Sequence, residues 1–300
     1  MSLDREAHIA FYAPQTLAEA LRLLDELENA RILAGGTDLL VELRESRAEA
    51  RSLVSIQGLD ELKGIAKKGG RLEIGALATP REIAGNSLIN RYNPALAQAA
   101  GGMASSHIRS MATIGGNIVS AVPSADLPPA LMAAEAAVRL VSSAGIREVS
   151  LSDFFTGPRS TVCGREEILA AVMFPPPPPG TGISWERFSL RESNALAVAA
   201  VAARLTIQKG KITRAAVVLG AVAPTPLAAV KTAEFLSGQK PSVDLFAGAA
   251  SLAGEECRPI SDIRGSAWFR KEIVQVLTRR ALIAALARAR ENQSGKKGAA

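Results

Sequence analysis

Between Leu17 and Leu27 the apolar residues Leu17, Ala20, Leu21, Leu24 and Leu27 recur at helical spacing, and Thr16 with Glu19 forms a capping box at their head. The pattern predicts one helix within residues 1–30. Its period then changes. Residues 31–34 read as a short strand running straight into Gly35-Gly36-Thr37-Asp38, after which residues 39–44 read as helix or turn. Short apolar segments follow at residues 53–56 and 72–76, the second alternating as a half-buried strand does. Thr79, Pro80 and Glu82 compose a second capping box with proline at the first helical position, and Asn93-Pro94 opens a further helix. Residues 110–124 are polar and glycine-bearing, set between an alanine-rich helix and a helix expected after Asp126, and are predicted to be an ordered loop. Residues 138–141 and 168–174 are predicted strands.

Five consecutive prolines, Pro175 to Pro179, can continue neither a helix nor a central strand, so residues 175–182 are expected to link two domains. Beyond them, residues 185–190, 195–207 and 215–219 suit an antiparallel sheet, with Gln208-Lys209-Gly210-Lys211 turning between the last two. Residues 226–236, 243–254 and 266–290 are helical by pattern. Strands followed by helices argue an α+β second domain over 183–290, behind a first domain of 1–174 and ahead of a flexible tail, 291–300. No repeat of solenoid period is present.

Composition narrows the class. With 48% hydrophobic and 21% charged residues the chain is too apolar for disorder, yet it has no uninterrupted apolar stretch of about 18 residues, as a membrane span needs. MSLDREAHIAFYAP has neither the basic flank nor the apolar core of a signal peptide, so a cytoplasmic location is expected. The net charge of +6 and pI near 9.6 would suggest nucleic acid if the charge lay on the body. It lies at the end. Arg279, Arg280, Arg288, Arg290, Lys296 and Lys297 stand against Glu291 alone, a local +5 that leaves about +1 elsewhere and reads as a solvated, frayed terminus rather than a nucleic-acid arm. Cys163 and Cys257 are the only cysteines, and His8 and His107 the only histidines, too few and too scattered for an iron–sulfur cluster or a catalytic zinc. Both cysteines read as small buried residues. Cys163, beside Gly164 and Arg165, has no partner that would make it a nucleophile.

The candidate chemistry rests on two glycine pairs. Gly35-Gly36 alone has a plain explanation as a tight turn, but Thr113-Ile114-Gly115-Gly116-Asn117 repeats the design some eighty residues on. Two such loops brought together would aim backbone N–H groups at one concavity, which suits the diphosphate of a dinucleotide. Neither the dinucleotide fingerprint G-x-G-x-x-G nor a phosphate loop ending in G-K-S or G-K-T occurs; Gly180-Thr181-Gly182 fails because Trp185 stands at the third glycine. Asp126, within Pro123-Ser124-Ala125-Asp126-Leu127-Pro128, serves equally as a helix N-cap or as a partner for a sugar hydroxyl.

AGGTDLL, IRSMATIGGN, PSADLPPALMAAEAAVRL and GREEILAAVMFPPP, in this order and at these separations, resemble the FAD-binding subunits of the xanthine dehydrogenase and carbon monoxide dehydrogenase group. APTPLAAVKTAEFL and SDIRGSAWFRKEIVQVLTRRAL extend the likeness to the C-terminal domain. The resemblance implies an α+β fold: a two-part FAD domain of the vanillyl-alcohol-oxidase type, then a smaller α+β domain with an antiparallel sheet packed on helices. It implies that Leu33, Ala34, Gly35, Gly36, Thr37, Asp38 and Leu39, with Thr113, Ile114, Gly115, Gly116 and Asn117, wrap the diphosphate of a non-covalent FAD. Ser124 and Asp126 match positions at the sugar or ribityl chain. Glu167 and Leu169 match positions near the adenine, or are simply an exposed and a buried strand residue. Arg187 and Arg191 fall beside the flavin or a partner's surface, or on a solvated strand face.

The sequence departs from the group's pattern at Ala112, where glycine is usual, and at Ser105-Ser106-His107; it lacks the cysteine-rich insertion of some relatives. His107 is no covalent tether if the resemblance holds. The partners implied are a small [2Fe-2S] subunit and a large molybdopterin subunit in a dimer of heterotrimers, with NAD or a quinone-type carrier as acceptor. No catalytic base with an activating neighbour is identifiable. A stand-alone flavin oxidase or reductase is the competing reading, which the 4% aromatic content and the lack of an acid or base constellation disfavour.

Overall fold

The computed structural model describes residues 9–293; His8 and the tail from Ser294, with Lys296 and Lys297, lie outside them. The chain opens with a small parallel sheet. β1 (Ala10–Tyr12) and β2 (Ala30–Leu33) flank β3 (Ser52–Ser55), joined through α1 (Leu17–Glu26) and α2 (Leu39–Arg44). Thr16 caps α1 by accepting from Glu19 N–H, as expected, but the Glu19 carboxylate accepts from Gln15 N–H and not from Thr16, so only half of the box forms. Leu21 and Leu24 pack with Val54, Ile56 and Ile168 beneath it.

A second subdomain is built on a five-stranded antiparallel sheet of order β4-β5-β10-β6-β7: β4 (Ile65–Lys68), β5 (Arg71–Gly75), β6 (Ala137–Ser142), β7 (Gly145–Ser150) and β10 (Ile168–Phe174). Between β5 and β6 run six helices, α3 (Pro80–Gly85), α4 (Ser87–Tyr92), α5 (Pro94–Gly102), α6 (Ser106–Met111), α7 (Ile114–Val119) and α8 (Leu127–Ala133). The Thr79–Glu82 capping box on α3 forms in full. α4, capped by the Asn86 side chain, was not expected from the pattern, because six residues are too few to show a period. After β7 come α9 (Leu151–Phe154) and a two-stranded hairpin of β8 (Phe155–Gly157) and β9 (Ser160–Thr161).

The C-terminal sheet has the order β11-β12-β13-β14: β11 (Thr181–Ser189), β12 (Ala197–Gln208), β13 (Lys211–Gly220) and β14 (Leu227–Ala228). Lys209 and Gly210, both at positive φ, make the expected tight turn between β12 and β13. α10 (Val230–Leu236) starts later than its pattern suggested, because Leu227 and Ala228 pair with β13; α11 (Val243–Glu256) and α12 (Ala267–Gln293) follow.

β12 explains how the domains join. Its residues alternate between two cores, as a period of two requires: Ala199, Val201, Ala203 and Leu205 pack under α11 and α12, whereas Ala200 and Ala202 pack with Leu96, Leu131 and Trp185 toward the second subdomain. Small residues let both sides approach one strand.

The end of α12 is docked, not frayed. Arg288 and Asn292 donate to Ile183 O and Thr181 O at 2.5 and 2.7 Å, and Gln293 donates to Ile207 O. Gly180-Thr181-Gly182 is explained here. A Cβ on Gly182 would lie 2.0 Å from Ala285 O, so Gly182→Val is expected to prise α12 from β11 and cost about 1–3 kcal/mol in denaturant unfolding.

Candidate functional site

The two glycine pairs meet. Gly36 follows β2 with φ at +72°, a left-handed turn, whereas Gly35 is needed for space: a Cβ there would lie 2.1 Å from Met111 O. Backbone therefore packs on backbone where residues 35–36 cross residues 111–112. Ser120 Oγ donates to Asp38 Oδ2 at 3.1 Å, and Arg159 pairs with Glu42, tying the subdomains further along the same seam. Gln57 Nε2 holds Ala34 O at 2.5 Å. Among the described residues no protein acceptor takes the N–H groups of residues 35–39. A run of unpartnered backbone donors in a left-handed turn is an anion site.

The second glycine pair works differently from the loop expected of it, because residues 114–119 form α7. Thr113 caps the helix, its Oγ1 accepting from Gly116 N–H at 3.1 Å, while Asn117 N–H donates to Thr113 O. Ile114 N–H and Gly115 N–H are engaged by Ala78 O and Ala76 O, and a Cβ on Gly115 would meet Ala76 Cβ at 2.9 Å. Two glycines disfavour a helix by propensity, but the cap and the close seat on residues 76–78, just past β5, override it. The amides of residues 114–117 are thus already bonded. What this element presents is the bare Gly116 surface, the Thr113 side chain and Asn117, whose Oδ1 is buried without a partner.

Between the two elements lies a cleft of about 1060 Å³, large for a small-molecule site. Its lining includes Ala34 to Leu39 with Thr113, Gly115, Gly116 and Asn117. It also includes the apolar side chains Leu24, Leu27, Ile32, Ile56, Ile168 and Leu169. Met103, Ala104, Ser124 and Asp126 line it as well, with Asn194, Ala195 and Leu196 from the C-terminal domain. Leu33 and Ile114 face the core instead of the cleft. Glu167 lines the cleft, but Arg147 and Gly164 N–H occupy its carboxylate, and the Arg147 bonds hold it below the usual carboxylate range. Arg187 is no solvated strand residue: it lies behind the wall, 3.3 Å from Asp126, and donates to Gly102 O. Arg191 is exposed and bonded to Asn194 O. His107 is exposed on α6 and is not among the lining residues. Sequence reasoning missed Arg159 and residues 194–196, since neither carries a motif.

Two family models cover the chain: residues 7–177 match the FAD binding domain in molybdopterin dehydrogenase, and residues 187–285 match the CO dehydrogenase flavoprotein C-terminal domain. The chain belongs to the FAD-binding subunits of the molybdopterin dehydrogenases. It is 34% identical to the carbon monoxide dehydrogenase medium chain of Afipia carboxidovorans and 30% identical to the xanthine dehydrogenase FAD-binding subunit of Escherichia coli, each match covering 93% of this chain and 97% of the relative. A solved carbon monoxide dehydrogenase of Hydrogenophaga pseudoflava that lacks the Mo-pyranopterin moiety superposes with a TM-score of 0.90 at 30% identity, over 94% of this chain and 98% of that one. This FAD-binding subunit is an oxidoreductase component, its cofactor is FAD, and its α+β architecture is the one the motifs implied.

The residues of the FAD-binding subunit fit that cofactor. Unpartnered N–H groups suit a diphosphate, the apolar lining residues suit a planar base, and Ser124 and Asp126 offer polar groups to hydroxyls. Asp126 occupies the N-cap place before α8 yet makes no capping bond, so the N-cap reading fails. Burial pushes its carboxyl up to about 6, against the opposing pull of Arg187. A carboxylate raised in the folded state stabilises below its unfolded pKa and loses that contribution as pH rises. The ligand-free subunit is therefore expected to lose on the order of 3 kcal/mol between its ordinary value of 3.8 and about 6, and Asp126→Asn to flatten this slope in unfolding titrations. Burial also pushes the Cys163 thiol up to about 11, which leaves it a poor nucleophile.

Proposed function

We propose that the subunit holds FAD non-covalently with the diphosphate between residues 35–39 and Thr113, Gly116 and Asn117, the adenine toward Leu169 and Ile32, and the ribityl and flavin toward Ser124 and Asp126. The observation that carries this reading is the run of backbone donors without a protein acceptor, lining one cleft together with Thr113, Gly116 and Asn117. Gly116 leaves the space bare, Gly36 makes the left-handed turn that carries the free amides, Arg187 fixes the Asp126 carboxylate, and residues 194–196 add a wall from the C-terminal domain. Leu33, Ile114 and Glu167 act by supporting the wall. Bound FAD supplies the carrier that takes electrons from the [2Fe-2S] clusters of a small partner subunit and passes them to NAD or another acceptor. Substrate is oxidised at molybdopterin in a large partner, and the whole is a dimer of heterotrimers in the cytoplasm. The FAD domain extends to residue 174, with the proline segment as its boundary.

The relatives' own descriptions as FAD-binding subunit and medium chain support a multisubunit reading. Among the described residues no helix is long and apolar enough to cross a membrane, and no group of His, Cys, Asp and Glu could hold a metal. Purification of the native complex, followed by visible spectroscopy and metal analysis, is expected to give iron–sulfur absorbance and molybdenum in chains other than this one. A yellow monomer that turns over an organic substrate unaided would overturn the subunit reading.

A further inference from the structure

Among the described residues of the FAD-binding subunit, Arg270, in the first turn of α12, is the bulkiest fully buried side chain. Its Nη2 meets Asp262 Oδ1 at 2.6 Å. Asp262 also accepts from Arg264 N, Nε and Nη2, at 2.8, 3.1 and 2.7 Å, and these bonds hold its carboxyl far below the usual range. Desolvating a guanidinium is costly, and an apolar side chain of like volume would pack a helix onto a sheet at less cost. An arginine here does what an apolar residue cannot: its Nη1 donates to two backbone carbonyls, Val198 O at 3.0 Å and Ala221 O at 2.9 Å.

Both carbonyls lead to the cleft. Val198 lies two residues beyond Leu196, the last residue of the segment with which the C-terminal domain lines the cleft. Ala221, in the left-handed region at φ +62°, donates its N–H to Pro123 O at 2.9 Å, and Pro123 precedes Ser124 and Asp126 in the wall. Two wall segments, far apart in sequence, thus hang from one nitrogen. We infer that Arg270, clamped by Asp262, is a positioning residue that sets the wall of the FAD cleft at Asp126 and Leu196 without touching the cofactor. The inference rests on the cleft being the FAD site.

The test is FAD binding to the full-length chain by flavin fluorescence, with the visible spectrum of the bound flavin as second readout. Arg270→Lys keeps the charge but cannot span both carbonyls, and Asp262→Asn keeps the shape but releases the clamp. Each is expected to raise the FAD dissociation constant by about tenfold or more and to shift the flavin band. Leu277→Ala, buried on the same helix against the other core, is expected to lower the melting temperature while leaving the dissociation constant within about twofold. Arg270→Lys binding FAD as the unaltered chain does, or Leu277→Ala weakening it equally, would overturn the inference. If Arg270→Lys does not fold, Asp262→Asn decides by the same two outcomes. An unaltered chain that binds no FAD would instead defeat the proposed function.

Discussion

Gly116→Val is expected to purify folded and without flavin. A Cβ at this position would meet only Thr113 Oγ1, at a tight 3.0 Å, so a small shift of that hydroxyl and no backbone movement is needed, and valine is no worse than glycine within a helix. Its branches would occupy the cleft where the diphosphate lies in the proposed pose. Displacing that group removes hydrogen bonds to a charged ligand, each worth roughly 1.5–3 kcal/mol, so FAD affinity should fall by about 100-fold or more. Thermal unfolding of the cofactor-free variant should match that of the cofactor-free parent within about 0.5 kcal/mol. Stoichiometric FAD in the purified variant would contradict the placement.

Gly35→Ala should fail in another way. The added carbon would sit 2.1 Å from Met111 O and 2.9 Å from Ala112 Cα, contacts made by backbone that cannot rotate aside. The first turn must therefore lift from the approach to α7, which costs about 1–3 kcal/mol by overpacking and separates the two halves of the site. Cofactor-free stability and FAD retention should fall together, measured by denaturant unfolding and by flavin released on heating. An alanine variant with parental stability would show that the close crossing of residues 35 and 111 is not needed. The contrast between the two glycines separates a residue that leaves room for the ligand from one that leaves room for the chain.

How much of this could be read from the residues depends on whether their roles are local. The Thr79–Glu82 capping box, the α1 face and the turn at Lys209-Gly210 are local devices, and the structure realises each one, with Glu19 choosing Gln15 over Thr16 as its partner. The meeting of two diglycine motifs is not local, yet their likeness was enough to suggest a shared ligand. What could not be read was the division of labour between them. Only packing against Ala76 shows that Gly115 serves the fold, and only the bonding pattern shows that the amides of residues 114–117 are taken while those of residues 35–39 stay free. Arg288 reads as a surface charge, and Arg187 as a residue beside the flavin, on a partner's surface or on a solvated face, because sequence carries no burial; each instead bonds inward, to Ile183 O and to Asp126. Arg270 is a further case, its partners lying at residues 198, 221 and 262.

FAD binding in this pose turns on those five backbone donors, and amide hydrogen exchange reads them directly. With no protein acceptor, residues 35–39 should exchange fast in the FAD-free chain and slow by about tenfold or more when FAD is added, with residues 114–117 protected in both states. Unchanged exchange at residues 35–39 in a chain that has bound FAD would contradict the account.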